Sequence, residues 1–211
     1  MKNKILALLG GSLFMLVLGL FSCDPNCGPF PTKFNVVGLD WHIFKAIYTD
    51  TEVNKLMLSE IENDSVEYKH YAIDIDPEIE TYFAKVYDKW NFSLIQSAYA
   101  CSPPPLTTDE IIDSIVIVSE TDFDLNHSSG TNLSDLFDIV IRDDANSIWF
   151  DKYDLDDYLA THPNVPNNLT LILKEPPDVT SEFEFLVKYY QNGIGTNDYF
   201  EFTTNKIVVE R

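Results

Sequence analysis

Basic residues are scarce in this chain. Its 211 residues include 14 lysines and arginines against 34 aspartates and glutamates, which gives a formal net charge of -20. Proteins that bind nucleic acids draw most of their affinity from basic side chains on phosphates, so the composition excludes this class. Hydrophobic residues nevertheless make up 45% of the chain, which is too many for a disordered protein. The composition therefore predicts a folded, acidic protein.

Motifs of several enzyme classes are also missing. The chain has 8 glycines and no glycine-rich phosphate loop, and its 4 histidines are scattered. Neither His-Glu-x-x-His nor Gly-x-Ser-x-Gly occurs, so zinc proteases and serine hydrolases lack their usual signatures. A glycosidase could draw its two carboxylates from the many acidic residues, but the sequence singles out no pair.

The N-terminus has the parts of an export signal. Two lysines precede an apolar run from Ile5 to Leu20, as in a secretory signal. The run is shorter than the roughly twenty apolar residues that a membrane span needs. Residues 20–23, Leu-Phe-Ser-Cys, resemble the lipobox of bacterial lipoproteins, although an aromatic residue replaces the usual small residue before Ser22. We therefore predict a lipoprotein signal peptide over residues 1–22 and lipidation of Cys23; an ordinary cleaved signal is the alternative.

Residues 23–33 predict a lipid-anchored tether. They include three prolines and a glycine, which disfavour a helix and favour an extended segment. More than one acyl chain at Cys23 would anchor the protein stably at a membrane without spanning it. Asp24 is an inner-membrane retention signal in enterobacteria, but that rule does not hold in every phylum. We expect the exported protein in the cell envelope, at the outer membrane or cell surface rather than the inner membrane.

The chain has three cysteines, Cys23, Cys27 and Cys101. If Cys23 carries lipid, Cys27 and Cys101 can form a disulfide, because exported proteins meet oxidising conditions. Two free thiols are the alternative. A metal centre at either cysteine is disfavoured, since no histidine or second cysteine lies at ligand spacing.

The tether is followed by a pattern that is mainly that of β-strands. Apolar residues alternate over 37–47, over 65–76 with one phase slip that suggests a bulge, and over 183–189. Residues 111–119 are rich in isoleucine and valine and predict a strand buried on both faces. The turn residues Asn192 and Gly193 separate residues 183–189 from a return strand over 199–209, which predicts a C-terminal hairpin. This spacing of strands predicts a mainly β fold, an antiparallel β-sandwich of immunoglobulin-like type.

Three segments have helical spacing instead. The first covers residues 76–90, where Asp76 can cap the helix and Pro77 suits its first position. A weaker match covers 53–61, and a third turn covers 154–160. We expect one or two short helices beside the strands. Residues 34–211 then form the sandwich region, either as one body or as two halves, 34–101 and 107–211, which meet near three consecutive prolines.

One acidic loop is a candidate calcium site. Asp122, Asp124 and Asn126 stand at the first three ligand positions of a calcium loop, but His127 and Leu133 replace the glycine and the final glutamate of an EF-hand. A looser calcium site that includes Asp135 is one interpretation. The other is a solvated loop, because aspartate and asparagine are common turn residues. We expect no other cofactor.

Aromatic residues suggest a second kind of site. Most lie at periodic positions and are predicted to belong to the core. Trp149 and Phe150 follow a polar turn instead, and we predict them as candidate ligand-binding residues.

Four stretches together resemble a family of uncharacterised Bacteroidota lipoproteins. They are the lipobox with a second cysteine nearby, residues 97–103 (Ser-Ala-Tyr-Ala-Cys-Ser-Pro), the strand over 115–124 and the hairpin over 185–209. The resemblance implies location and build but no activity. We expect an envelope lipoprotein with a non-enzymatic binding or assembly role, whose partners are the membrane and an unidentified protein or glycan. The alternative is an envelope glycan hydrolase with a carboxylate pair.

Overall fold

The computed structural model describes residues 30–48, 56–83, 105–142, 151–193 and 197–211. Within them the chain is mainly β, with twelve strands, one short α-helix and two 3₁₀ turns (Tyr68–His70 and Ser134–Leu136). The elements are β1 (Lys33–Tyr48), β2 (Leu56–Ser59), β3 (Ser65–Glu67), β4 (Tyr71–Tyr82), β5 (Ile111–Ser119), β6 (Phe137–Ile141), β7 (Asp151–Asp154), α1 (Leu155–Leu159), β8 (Leu169–Leu173), β9 (Ser181–Phe183), β10 (Phe185–Asn192), β11 (Asn197–Thr203) and β12 (Ile207–Glu210).

The chain divides into two compact units. One comprises Met1–Lys33 and Thr81–Thr107; in its described part Lys33 bridges to Thr107, whose N–H donates to the carbonyl of Thr32 at 3.2 Å. The other comprises Phe34–Glu80 and Thr108–Arg211. It carries most of the strands, the core and the candidate site.

The strands form three sheets. Sheet 1 has the order β2-β1-β4-β8-β6-β7, sheet 2 the order β11-β10-β5, and sheet 3 the order β3-β12-β9. Both pairings of β10, both pairings of β6 and the pairs β1–β2, β4–β8 and β9–β12 are antiparallel, whereas β12 runs parallel to β3. Sheet 1 takes strands from both sides of the three prolines at 103–105. The prediction of a mainly β, antiparallel, sandwich-like fold is confirmed.

The C-terminal hairpin belongs to two sheets. In sheet 2, β10 pairs with β11, and in sheet 3, β9 pairs with β12. The return strand passes from sheet 2 to sheet 3 at Thr204. The N–H of Thr204 donates to the carbonyl of Phe185 at 2.9 Å, and its hydroxyl accepts from the N–H of Phe185 at 2.9 Å. Thr204 thus pairs with both the N–H and the carbonyl of Phe185 at the point where the return strand leaves the ladder between β10 and β11. The predicted hairpin is confirmed, but its return strand consists of two pieces.

Four aromatic rings at this crossover join the sheets. The ring centroid of Phe185 in sheet 2 lies 5.4 Å from Tyr71 and 5.8 Å from Phe137, both in sheet 1, and 5.9 Å from Phe183 in sheet 3. All four side chains are at most 1% exposed. Tilted and edge contacts of this kind add to the free energy gained by burying the rings. The core of the unit therefore centres on Phe185.

The start of β1 is held by side chains. The N–H of Val36 donates to the Glu110 carboxylate at 2.7 Å, and its carbonyl accepts from the Gln191 amide at 3.4 Å. All three residues are buried. The two side chains supply at Val36 the hydrogen bonds that a neighbouring strand would otherwise make, which a buried backbone requires.

Two predicted helices are wrong within the described residues. The segment from Asp76 to Tyr82 continues β4, which lies between β1 and β8 in sheet 1. Residues 56–59 form β2, which pairs antiparallel with β1. In both segments strand pairing outweighs a local helical pattern, as tertiary context often does. Residues 53–55 and 84–90 lie outside the described residues.

The other local predictions have mixed outcomes. The predicted turn at 154–160 is confirmed as α1, where the Asp154 carboxylate caps the helix by accepting from Asp156 and Asp157 N–H groups. The phase slip in 65–76 is the 3₁₀ turn between β3 and β4 rather than a bulge. Burial in β5 alternates, so only one of its faces is fully buried. None of the described helices has the length and hydrophobicity to cross a membrane.

Replacing Phe185 with alanine should lower the free energy of unfolding by about 3–5 kcal/mol, because it removes a fully buried ring from the contact of three sheets. Urea unfolding followed by circular dichroism measures the change. The control is Val179→Ala, at a site 65% exposed, which should change stability by less than about 0.5 kcal/mol. Equal effects of the two changes would refute the central position of Phe185.

Candidate functional site

The outer face of sheet 2 is an exposed surface in the described part of the chain. In β10, Phe185, Val187 and Tyr189 are buried, while the residues between them point outward, as the two-residue period of a strand requires. The strand registers place further outward residues beside them on β11 and β5. We define the outer face as Ser114, Val116, Val118, Leu186, Lys188, Tyr190, Tyr199, Glu201 and Thr203.

A groove lies at one end of the outer face. It has a volume of about 440 Å³ and is lined by Val118, Ser119, Glu120, Ser129, Gly130, Glu184, Leu186 and Thr203. A smaller cavity of about 110 Å³ adjoins it and shares Ser119, Glu120 and Glu184. The groove thus lies where β10 and β11 leave sheet 2.

The groove combines apolar and acidic chemistry. Val118 and Leu186 are its apolar lining residues, while Glu120 and Glu184 place carboxylates at it. The smaller cavity adds Glu182 and one lysine, Lys206. The arrangement can take a ligand with apolar surface and with hydrogen-bond donors or positive charge.

One wall of the groove comes from the loop between β5 and β6. Ser129 donates from its N–H to Asp122 at 2.8 Å and from its hydroxyl to the carbonyl of Glu120 at 2.7 Å. The N–H of Gly130 donates to the carbonyl of Ser119 at 2.8 Å. Gly130 has a φ of 79°, a conformation that glycine adopts readily. These hydrogen bonds therefore help to hold this wall.

A pair of tyrosines lies at the other end of the outer face. The rings of Tyr190 and Tyr199 are 4.8 Å apart and inclined by 35°. The hydroxyl of Tyr199 donates to the Glu201 carboxylate, and this bond raises the pKa of Tyr199 to about 12. Tyr199 is 46% exposed, so the pair can contact a ligand that extends from the groove.

The candidate calcium residues are engaged within their own loop. Oδ1 of Asp124 accepts from the N–H groups of Asn126 at 2.7 Å and His127 at 2.9 Å, and the His127 ring lies 2.8 Å from Oδ2. The other ring nitrogen lies 3.1 Å from the Asp135 carboxylate. The structure thus brings Asp124 and Asp135 together around His127. In the part of the chain that the structure describes, no three His, Cys, Asp or Glu side chains are grouped to hold a metal ion.

The His127 contacts change the charge equilibria of the loop. The hydrogen bond with Asp124 raises the pKa of His127, against the effect of burial, and Asp135 adds to the rise. Burial opposes ionisation of Asp124, but hydrogen bonds from His127 and Asn126 outweigh it and lower the pKa of Asp124. When His127 is protonated, both of its ring nitrogens can donate, one to Asp124 and the other to Asp135.

Sequence reasoning missed a polar cluster on sheet 1. Arg142 lies 2.6 Å from Asp74, which also accepts from the Thr170 hydroxyl at 2.5 Å, and all three side chains are buried. Two residues along β4, Asp76 accepts from the Asn168 amide. The sequence shows the alternation Asp74-x-Asp76. Because a helix was predicted to begin at Asp76, the two residues were not expected to lie on one strand.

Five predicted site residues lie outside the described residues. They are Cys23, Cys27, Cys101, Trp149 and Phe150. Lipidation, the disulfide and the aromatic ligand site therefore stay predictions.

Searches against models of known protein families, curated proteins and solved structures found no match. The resemblance to Bacteroidota lipoproteins therefore stays a prediction.

Replacing His127 with glutamine should lower stability most at about pH 5–6. The folded pKa is raised, so the histidine's contribution is complete below the unfolded pKa, near 6.5, and is lost as the pH rises through the folded pKa. Urea unfolding of both proteins from about pH 5 to 8 measures the difference. His162→Asn, at an exposed histidine, should keep the wild-type pH profile. A difference between wild type and His127→Gln that is constant with pH would contradict the His127 contacts.

Proposed function

We propose that the protein is a lipid-anchored protein of the cell envelope that binds a partner without chemical conversion. The lipobox at residues 20–23 and the proline-containing segment after it support the anchor. The groove at the end of the outer face is the observation that carries the binding role. It is open and has both apolar and polar lining residues, and a tyrosine pair continues the surface beyond it.

Carboxylate chemistry favours binding over glycan hydrolysis. A glycosidase needs a protonated acid and an ionised carboxylate about 5 or 9 Å apart at its substrate. Among the described carboxyl groups, the pKa is raised at Asp76 and Glu110, mainly by burial. Glu110 is 3% exposed and accepts a backbone hydrogen bond at 2.7 Å, and neither residue lines the groove. The two described carboxyl groups with a raised pKa therefore lie away from the groove.

The surface fits a protein segment or a glycan as partner. An apolar lining with carboxylates suits the apolar and basic side chains of a protein, and carboxylates with exposed tyrosines also suit hydroxyl-rich sugars. The net charge of -20 disfavours nucleic acid. That charge also favours solubility and repels the protein from an anionic membrane surface.

Replacing Cys23 with alanine should abolish incorporation of labelled palmitate and move the protein from the membrane to the soluble fraction, because the thiol that carries the lipid is gone. Metabolic labelling followed by fractionation measures both effects. Cys27→Ala removes a neighbouring thiol and should leave labelling intact. Palmitate incorporation that survives Cys23→Ala would refute the anchor.

A photo-crosslinking amino acid at Thr203, an exposed residue of the groove, should give one discrete adduct in intact cells. Gel mobility and mass spectrometry identify the adduct as protein or glycan. Glu184→Arg in the same protein should abolish it, because the change reverses a charge in the groove without removing a core residue.

The matched control carries the crosslinker at Val179, which is also exposed but does not line the groove. It should not give the same adduct. An identical adduct from both positions, or one that persists with Glu184→Arg, would contradict binding through the groove.

A further inference from the structure

The floor of the groove is a row of three side chains on the outer face. The strand registers place Leu186 of β10 opposite Val118 of β5 on one side and opposite Thr203 of β11 on the other. Neighbouring strands lie about 4.8 Å apart, so the row spans about 10 Å. Val118 and Leu186 are only half-buried, which leaves aliphatic surface for a ligand.

Two carboxylates border this floor where β5 and β10 leave sheet 2. Glu120 lies two residues after Val118, Glu184 lies two residues before Leu186, and both line the groove. The register between the two strands, continued by one residue, sets the two glutamates opposite each other. Because the side chains on one face of a strand repeat every two residues, the carboxylates lie about 7 Å from the floor along the strand direction.

The charge at this end of the groove is not balanced by the described residues. The groove and the smaller cavity beside it are lined by three glutamates, Glu120, Glu182 and Glu184, and by one lysine, Lys206. Within the described ranges, none of the three glutamate side chains forms a hydrogen bond or an ion pair. Like charges that face each other across neighbouring strands repel. A cation from a partner would relieve this repulsion without breaking an existing ion pair.

The lining of the groove favours a protein segment over a glycan. Sugar rings pack their apolar faces on aromatic side chains, and no aromatic side chain is among the described residues that line the groove. Tyr190, which pairs with Tyr199, lies four residues farther along β10, about 13 Å from Leu186. Aliphatic side chains match the floor of the groove, and lysine or arginine side chains match its carboxylates. The volume of about 440 Å³ suits a few side chains rather than a folded domain.

We propose that the groove binds an extended segment of a partner protein, with an aliphatic side chain on the floor and a lysine or arginine between Glu120 and Glu184. In an extended chain, residues two apart lie on one side about 7 Å from each other, which matches the spacing of floor and carboxylates. Arginine should bind more tightly than lysine, because its planar group of donors serves two carboxylates. The inference rests on the proposed function, since it names the partner of the same groove.

The test uses the full chain purified in detergent and a library of acetylated hexapeptides randomised at every position, in about 0.15 M salt. Peptides that the protein retains should be enriched in a basic residue two positions from an aliphatic residue. Glu120→Gln and Glu184→Gln should each weaken binding of a selected peptide by about tenfold, because each removes a charged acceptor. The control Glu62→Gln makes the same change at an exposed glutamate outside the groove and should bind as the wild type does.

A charge exchange keeps the test informative if a single variant folds poorly. The double variant Glu120→Lys with Glu184→Lys should select an acidic residue instead of a basic one and should keep the aliphatic residue, since the floor is unchanged. If this variant still selects basic residues, the selection comes from the net charge of -20 and the proposal is overturned. An equal loss of peptide binding in Glu62→Gln would overturn it too.

Failure of this inference is distinguishable from failure of the proposed function. A glycan adduct at Thr203 in cells, with no enrichment from the peptide library, would overturn the protein segment and leave binding through the groove intact. Absence of both the adduct and the enrichment would overturn both proposals. A protein adduct whose crosslinked peptide carries the basic and aliphatic residues two positions apart would support both.

Discussion

The contact of Phe185 with Tyr71, Phe137 and Phe183 determines how the three sheets pack. Each ring belongs to a strand with its own hydrogen-bonded ladder, and ladders alone do not hold sheets face to face. Thr204 makes this contact compatible with the ladder, because its backbone and hydroxyl satisfy Phe185 where the hairpin leaves sheet 2. This crossover also determines where the groove lies, because the groove occupies the surface beside the point where the hairpin leaves sheet 2.

The outer face depends on the same strand. With Phe185 and Tyr189 directed into the core, the two-residue period directs Leu186 and Tyr190 outward. A shift of one residue would exchange the faces and bury Lys188 in the core. The strand register therefore decides which residues of β10 face the core and which face the candidate site. The aromatic contact of Phe185 fixes that register.

Sequence patterns predicted those features that depend on local alternation. The sequence predicted the inward positions of Phe183 and Phe185 and the pairing of β10 with a return strand, because the strand period and the turn residues agree there. The sequence did not predict that the segment after Asp76 is a strand. A capping aspartate followed by proline is a good helix start, and the segment is a strand only because β1 and β8 lie on either side of it. The sequence also did not predict the groove. Its residues Glu120, Ser129 and Glu184 come together only through the strand register and through a loop that hydrogen bonds hold in place.

The side-chain contacts at Val36 have a mechanical consequence if the protein is anchored through Cys23. Drag on the body would then reach the fold along the tether, and Val36 lies three residues into β1. Glu110 and Gln191, which hold its N–H and carbonyl, reach it from the start of β5 and the end of β10. Force applied at Val36 would also load these two hydrogen bonds, so β1 is held by side chains from outside sheet 1 as well as by its own ladder.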